Sequence, residues 1–257
     1  MDEPRAGTPA RGTVPGMFSD TWHTPQVTHL VFVDGLLADS WQEPVAGTPW
    51  ESYVRTPAPP PAPPPAPVHE QVHTWLTVVC GGRDAVDALT ARPLDDGAID
   101  LPVEYPQPAD RQRMEATAEL LDSVAARFFD PEMSYAFRHA LLSLWADDPE
   151  AVTRATTAAH LAAGVCWAVG KANGVFHPVG THRVGTIQDA FALRSPASAY
   201  GNVVAGTLRG FLPRADRWAR PPGVPDLEPL GRPDLLLGAT RARLVRIRDR
   251  ARAAGAV

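Results

Sequence analysis

Hydrophobic and polar positions alternate in the manner of a β-strand only near the start of the chain. Residues 27–41, VTHLVFVDGLLADSW, combine β-favouring side chains with Asp34-Gly35, a dipeptide typical of a tight hairpin turn. We therefore expect a small hairpin or an irregular segment over residues 27–55. Residues 1–26 are rich in Gly, Pro and Thr and have little apolar periodicity, and we expect them to form a disordered arm.

A proline-rich segment, TPAPPPAPPPAP at residues 56–67, separates this region from the rest of the chain. Because proline lacks a backbone N–H and has a fixed φ angle, this composition predicts a semi-rigid, extended linker. Beyond the linker, apolar residues recur at helical spacing through most of residues 68–257. The pattern predicts a mainly α protein, a multi-helix bundle preceded by a small N-terminal β-hairpin.

Three signals support the helical interpretation. Residues 68–79 place apolar side chains along one helical stripe, and Gly81-Gly82 follows as a typical left-handed C-terminal cap. Asp130-Pro131 is a typical helix start, with an N-cap carboxylate and a proline in the first turn. Residues 158–169 are apolar on nearly all sides, which predicts a central helix surrounded by others.

A helix-turn-helix-like pair is predicted over residues 185–210. Its first helix covers about 185–192, and its second begins at Pro196 with Ser195 as the N-cap. The second helix carries few of the basic and amide side chains that base readout usually employs. The pair is compatible with nucleic-acid contact, but it does not indicate a sequence-specific repressor.

Charge is distributed unevenly in a chain whose net charge is −5 at pH 7. Residues 1–208 hold 13 basic and 24 acidic residues, whereas residues 209–257 hold 11 arginines and five acidic residues. The predicted helix 239–254 carries two rows of arginines: Arg243, Arg246 and Arg250 in one, and Arg241, Arg248 and Arg252 in the other. With Arg209 they are the candidate nucleic-acid-binding residues, because contacts to phosphates release counterions. The alternatives are a solvated face or salt bridges to the acidic remainder of the chain.

His69-Glu70-x-x-His73 is the motif that points to catalysis. Its two histidines share a helical face and suit Zn²⁺, and Glu70 would be the base that activates a bound water. A third protein ligand is required, for which Glu115 and Glu119 are the candidates in the sequence. Because the motif occupies the first turn of a helix that follows the proline linker, we favour a solvated helix start, and we expect no metal and no cofactor.

The two cysteines bear on the cellular compartment. Cys80 and Cys166 lie in apolar segments far apart in sequence, which favours buried, reduced thiols over a disulfide or a thiolate zinc site. No apolar targeting segment follows the first arginines, and no apolar run approaches the length of a membrane span. These features predict a cytoplasmic protein with no membrane partner.

Three motifs carry a resemblance to other proteins: GGRDAVDALTARPL at 81–94, CWAVGKANGVF at 166–176 and PLGRPDLLLGATRARLVRIRDRA at 229–251. Through them, residues 68–254 resemble an uncharacterised family of helical proteins from high-GC bacteria. The central part is also similar to the cyclin-box repeat of transcription factor IIB, in which a buried Ala-rich helix precedes a helix-turn-helix pair. The positions that match this pattern are Ile187, Ala190, Phe191, Leu193, Val203 and Leu208. The resemblance implies a cyclin-box-like or helix-turn-helix core, and it implies no reaction.

These observations favour a non-enzymatic binding or regulatory module. The first hypothesis is nucleic-acid association through the Arg-rich helix and the helix-turn-helix-like pair. The second is protein–protein interaction through the proline linker or a cyclin-like groove. The third is a zinc-dependent hydrolase that uses the His-Glu-x-x-His motif. The sequence identifies no small-molecule substrate.

Overall fold

A computed structural model of the protein describes residues 25–54, 64–94, 99–212 and 220–256. The chain divides into two compact units between Pro64 and Pro65. The predicted disordered arm, apart from its last two residues, and most of the predicted proline linker lie outside the described residues. Within the described ranges, no helix is long and apolar enough to cross a membrane.

The first unit contains an antiparallel hairpin of two strands, β1 (Gln26–Val33) and β2 (Leu36–Pro44). Asp34 and Gly35 connect them with φ angles of 51° and 79°, the positive values that a two-residue hairpin turn of this type requires. A short 3-10 helix, Glu51–Val54, follows. The hairpin predicted from the sequence is confirmed.

The described part of the second unit is built from helices. In chain order the α-helices are α1 (Val68–Cys80), α2 (Arg83–Ala88), α3 (Pro108–Phe128), α4 (Pro131–Asp147), α5 (Pro149–Thr153), α6 (Ala158–Ala172), α7 (Val184–Ala190), α8 (Ala197–Arg209) and α9 (Gly238–Gly255). A 3-10 turn, Pro233–Leu235, precedes the last of them. The prediction of a mainly α bundle with a small hairpin is therefore confirmed.

Helix ends follow local chemistry in most places. Gly81 ends α1 with a φ of 84°, and its N–H donates to the Thr77 carbonyl. The Asp130 carboxylate accepts from the N–H of Met133 at 3.0 Å and caps α4. The predicted Ser195 cap of α8 is wrong, because the N-cap position is held by Pro196 and no side chain caps this helix.

Helix α6 is the centre of the bundle. Its side chains are buried from Leu161 to Gly170 without interruption, and it packs against α3, α4 and α8. The approach to α8 is close, since a Cβ on Gly201 would lie 2.4 Å from the ring of Trp167. The continuous apolar surface of α6 is buried because other helices surround it, as the sequence pattern predicts.

Candidate nucleic-acid interface

Helix α9 carries six of the seven candidate arginines and lies against α1. Leu244 and Ala251 on its inner side are buried. The sequence favours helix here because Arg, Ala and Leu all have high helix propensity. With one side packed on α1, the remaining sides of α9 are available for polar contacts.

Two polar side chains, the buried Asn173 and the partly buried Glu132, fix where α9 begins. The Asn173 amide donates to the Leu235 carbonyl at 2.9 Å, and its Oδ1 accepts from the N–H of Leu237 at 2.7 Å. The Glu132 carboxylate accepts from the N–H of Gly238 at 2.6 Å, in the first turn of α9. A carboxylate at this end of a helix is favourable because the first N–H groups have no partner within the helix.

Arg248 is turned into the fold. Its side chain is 12% exposed, and its Nη1 donates to the carbonyls of Val86, Asp87 and Leu89 at 3.0, 3.3 and 2.8 Å. These carbonyls lie at the C-terminal end of α2, where helix carbonyls lack partners within the helix and attract a positive charge. Arg248 thus caps α2 from a position far away in sequence.

Arg241 and Arg252 are also bonded within the fold, although Arg252 is 45% exposed at its side chain. Arg241 donates to the Pro233 carbonyl at 2.7 Å and to the Arg92 carbonyl at 3.1 Å. Arg252 forms an ion pair with the Asp87 carboxylate. We call Arg241, Arg248 and Arg252 the inner row, since each is bonded to another part of the same domain.

The inner row affects the chemistry of a nearby thiol. Burial raises the pKa of Cys80, at the end of α1, to about 11, while the positive charges of Arg248 and Arg241 act in the opposite direction. Burial also raises the pKa of Cys166, in α6. Both cysteines are free and buried, so neither thiol forms a disulfide.

Arg243, Arg246 and Arg250 form the outer row. All three are exposed, and none makes a hydrogen bond or an ion pair with any residue that the structure describes. Because an α-helix rises 1.5 Å per residue, the row extends over about 10.5 Å. Asp249, the acidic residue of α9, is paired with Arg248 at 2.9 Å. The outer row therefore presents three guanidinium groups to solvent.

Arg209, the seventh candidate, lies inside the fold at the end of α8. Its side chain is 10% exposed and pairs at 3.0 Å with Glu228, which is 6% exposed. Its Nε also donates to the Pro229 carbonyl at 2.9 Å. This guanidinium holds the segment before α9 against α8, a role that the sequence analysis did not assign to it.

The helix-turn-helix-like pair consists of α7 and α8. On the exposed side of α8 lie Asn202 and Val203, and the Asn202 amide donates to the Ser198 carbonyl of its own helix at 2.8 Å. In place of capping α8, the Ser195 hydroxyl lies 3.1 Å from Nε2 of His160. Two exposed arginines lie close to the pair, Arg183 directly before α7 and Arg194 in the turn between α7 and α8. The outward side of α8 itself carries no positive charge among the described residues.

The His69-Glu70-x-x-His73 motif occupies the first turns of α1, where the sequence predicts it. His73 and Glu70 line an open cleft of about 480 Å³ together with Asp87 and Arg252. Glu70 is largely exposed and lies 4.0 Å from the ring of His69. Among the described residues, no three His, Cys, Asp or Glu side chains come together as metal ligands. Glu115 and Glu119, the suggested third ligands, are not brought to the motif.

Sequence reasoning missed the residues that position the site. Glu132 and Asn173 both bond to the start of α9 across long sequence separations, with Oε1 of Glu132 also accepting from the N–H of Leu94 at 2.6 Å. Asn173 followed by a glycine reads locally as a helix stop, and Glu132 reads as a first-turn acid. No local pattern reveals a second partner for either side chain, because that partner arrives only with the tertiary fold.

Comparison with known proteins gives no relative from which a function can be transferred. No family model, no curated protein and no solved structure matches the chain. The resemblances to the high-GC bacterial family and to the cyclin-box repeat therefore stay expectations.

Proposed function

We propose that this protein is a non-enzymatic binding module that associates with nucleic acid through the outer row of α9. The observation that carries the proposal is the exposure of Arg243, Arg246 and Arg250 on one side of a helix whose other arginines are bonded internally. Guanidinium groups suit phosphates because their donors match two oxygens at once. A row of them on a well-packed helix is already oriented for a phosphate backbone.

The helix-turn-helix-like pair contributes less to this proposal than the sequence implies. Arg209 is occupied by Glu228, and the exposed side of α8 offers Asn202 as its amide. Base readout in a major groove uses several donors and acceptors on one helix face. We therefore propose association that follows the phosphate backbone and depends weakly on base sequence.

Fluorescence anisotropy with a labelled oligonucleotide tests the proposal. The wild-type protein is expected to bind at low salt, and three neutralised phosphates on a single strand give a slope of about −2 in a plot of log K against log salt concentration. Replacing Arg243, Arg246 and Arg250 together by Gln is expected to abolish most of the binding and flatten the slope.

A charge-matched control separates the row from net charge. Arg83, Arg183 and Arg194 are also exposed and unpaired among the described residues, and their joint replacement by Gln removes the same three charges. Binding is expected to survive in this control. Equal loss in the two triple variants, or no binding by the wild type at low salt, contradicts the proposal.

Protein–protein interaction is the second candidate function, and the hairpin favours it. Its exposed large apolar side chains include Leu30, Phe32, Leu36, Leu37 and Trp41. A two-stranded hairpin is marginally stable in water, and its open edges are templates for further pairing. The simplest partner is a second copy of the hairpin, pairing edge to edge.

Sedimentation at increasing protein concentration tests this second function. Phe32 and Leu37 are partners across the strands, and changing both to Ser is expected to convert a dimer to a monomer. Gln42→Ser, on an exposed position of β2, is the control that keeps the apolar surface. A wild-type protein that is monomeric at all concentrations contradicts hairpin self-association.

A cytoplasmic location belongs to the same proposal. The two buried thiols are free, which suits a reducing compartment. Labelling of the fractionated host cell with an antibody to the protein tests the location, and recovery in a membrane or extracellular fraction contradicts it.

A further inference from the structure

An apolar groove runs beside the outer row. It has a volume of about 380 Å³ and is formed by α1, α9 and residues 222–224. Most of its lining is aliphatic: Val68, Val72, Val224, Ile247, Ala251 and Ala254. The polar side chains on its wall are those of His69 and Arg250. The groove is therefore an apolar surface with a cation and an imidazole at its edge.

The groove and the outer row share one side of α9. Arg243, Ile247, Arg250 and Ala254 are spaced at i, i+4, i+7 and i+11, which places them in one line along the helix. Arg250 belongs both to the outer row and to the wall of the groove. A ligand that contacts the guanidinium groups consequently lies next to the apolar lining.

A surface that combines guanidinium groups with an apolar groove favours single-stranded over duplex nucleic acid. A duplex presents phosphates outside and keeps its bases stacked inside, so it would leave the groove filled with water. A single strand carries phosphates and unstacked bases side by side, and proteins bind it by combining a cationic track with flat apolar or aromatic surfaces for the bases. One side of α9 is packed on α1, and Arg248 and Arg252 bond it to α2, so the outer row and the groove are the parts of this helix that remain to contact a ligand.

Resting on the proposed nucleic-acid function, we propose that the ligand is single-stranded and that one unstacked base enters the apolar groove. The flanking phosphates pair with Arg250, Arg246 and Arg243. The ring of His69, 28% exposed at its side chain, is the planar group that the base meets on the wall. The phosphate backbone of the strand lies along the arginines because their positive charges attract it, and the base contacts the apolar lining of the groove.

Oligonucleotides with and without bases test this inference. A 12-nucleotide oligothymidine and an abasic strand of the same length carry the same phosphates and differ only in their bases. Wild-type protein is expected to bind the oligothymidine about tenfold more tightly than the abasic strand, the size of effect expected for one stacked base. Both ligands are expected to give the same salt slope, since the phosphate contacts are shared.

A variant that fills the groove locates the base. Ala254→Leu adds bulk to the lining without changing charge, and Ala253→Leu is the matched control, because Ala253 is exposed on the same turn and lies outside the lining. Ala254→Leu is expected to remove the preference for oligothymidine and to leave binding of the abasic strand unchanged. Ala253→Leu is expected to behave as the wild type.

The outcomes separate the two proposals. Equal affinity for the two strands, duplex binding as tight as that of the oligothymidine, or equal effects of the two leucine variants overturns base insertion at the groove while nucleic-acid association stands. Failure of every oligonucleotide to bind overturns nucleic-acid association itself. Circular dichroism of both leucine variants confirms that their helical content matches the wild type.

Discussion

The two arginine rows of α9 differ in their bonding, since every arginine of the inner row is bonded to another part of the fold and none of the outer row is bonded to a described residue. Arg248 in the inner row donates to three carbonyls at the end of α2, whereas Arg246, two positions earlier, is exposed and has no bonded partner among the described residues. The two rows are interleaved along a single stretch of 12 residues, 241–252. A count of basic residues therefore overestimates the surface available to a polyanion, because half of these arginines are used within the fold.

The difference arises from the neighbours of α9. On one side the end of α2 presents unpaired carbonyls, and the Asp87 carboxylate lies next to them. On the other side lies the apolar groove, whose lining is mostly aliphatic. On the first side Arg248, 12% exposed at its side chain, exchanges most of its hydration for hydrogen bonds, while an arginine on the second side stays in water.

The largest expected effect concerns Arg209, which shares the internal environment of the inner row. Arg209→Met removes the guanidinium that pairs with the buried Glu228 carboxylate, and we expect a loss of about 3–5 kcal/mol in the free energy of unfolding. Urea denaturation followed by circular dichroism measures it. The double variant Arg209→Met with Glu228→Gln is expected to lose less than the single variant. A loss below 1 kcal/mol for Arg209→Met would show that the pair contributes little.

Next in size is the effect of Arg248. Arg248→Ala removes the donors to the last carbonyls of α2, and leaving these groups poorly satisfied is expected to cost about 1–3 kcal/mol of unfolding free energy. Arg246→Ala, on the outer row of the same helix, is the matched comparison and is expected to change stability little. The contrast between the rows fails if the two alanine variants have equal urea midpoints.

Thiol labelling offers a local measurement of the same contrast. Burial raises the pKa of Cys80 to about 11, so little thiolate is present at pH 8 and labelling requires opening of the α1 and α9 region. Cys166 belongs to the central helix α6 and is fully buried. Arg248→Ala is therefore expected to accelerate modification of Cys80 several-fold more than modification of Cys166. Mass spectrometry of each cysteine-containing peptide gives both rates. Equal acceleration of the two thiols would indicate global destabilisation in place of local opening.

The smallest effect on stability is expected for the outer row. Replacing Arg243, Arg246 and Arg250 by Gln removes exposed groups, and each substitution is expected to stay within about 0.5 kcal/mol of the wild type. The urea midpoint of the triple variant checks this. A large loss of unfolding free energy would mean that the outer row has a structural role. A binding defect in the same variant could then not be assigned to missing phosphate contacts.

Local patterns predicted much of the fold. The Asp34-Gly35 turn, the Gly81 end of α1 and the Asp130 cap of α4 are set by neighbouring residues, and all three occur where the sequence places them. The buried character of α6 follows from its apolar composition. The Ser195 cap was wrong because the hydroxyl lies beside His160, a residue 35 positions away, which no local pattern specifies.

The candidate site was predicted only in part. The sequence identified α9 and divided its arginines into two rows at the correct positions, since helical periodicity determines which residues share a side. It did not distinguish the row that is bonded from the row that is unbonded, and it counted Arg209, which pairs with Glu228 inside the fold, among the candidate nucleic-acid-binding residues. Nor did it show that His69, considered as a zinc ligand, lies on the wall of an apolar groove.

The sequence by itself determined the elements of this protein: a hairpin, a series of helices, one helix that must be surrounded, and a last helix with two arginine rows. These follow from interactions between residues close together in the chain, whose geometry is the same in any fold. Tertiary structure alone decided which arginines meet carbonyls, which meet a carboxylate and which meet water. That choice depends on contacts such as Arg248 with Leu89, which are far apart in sequence and form only when the helices pack.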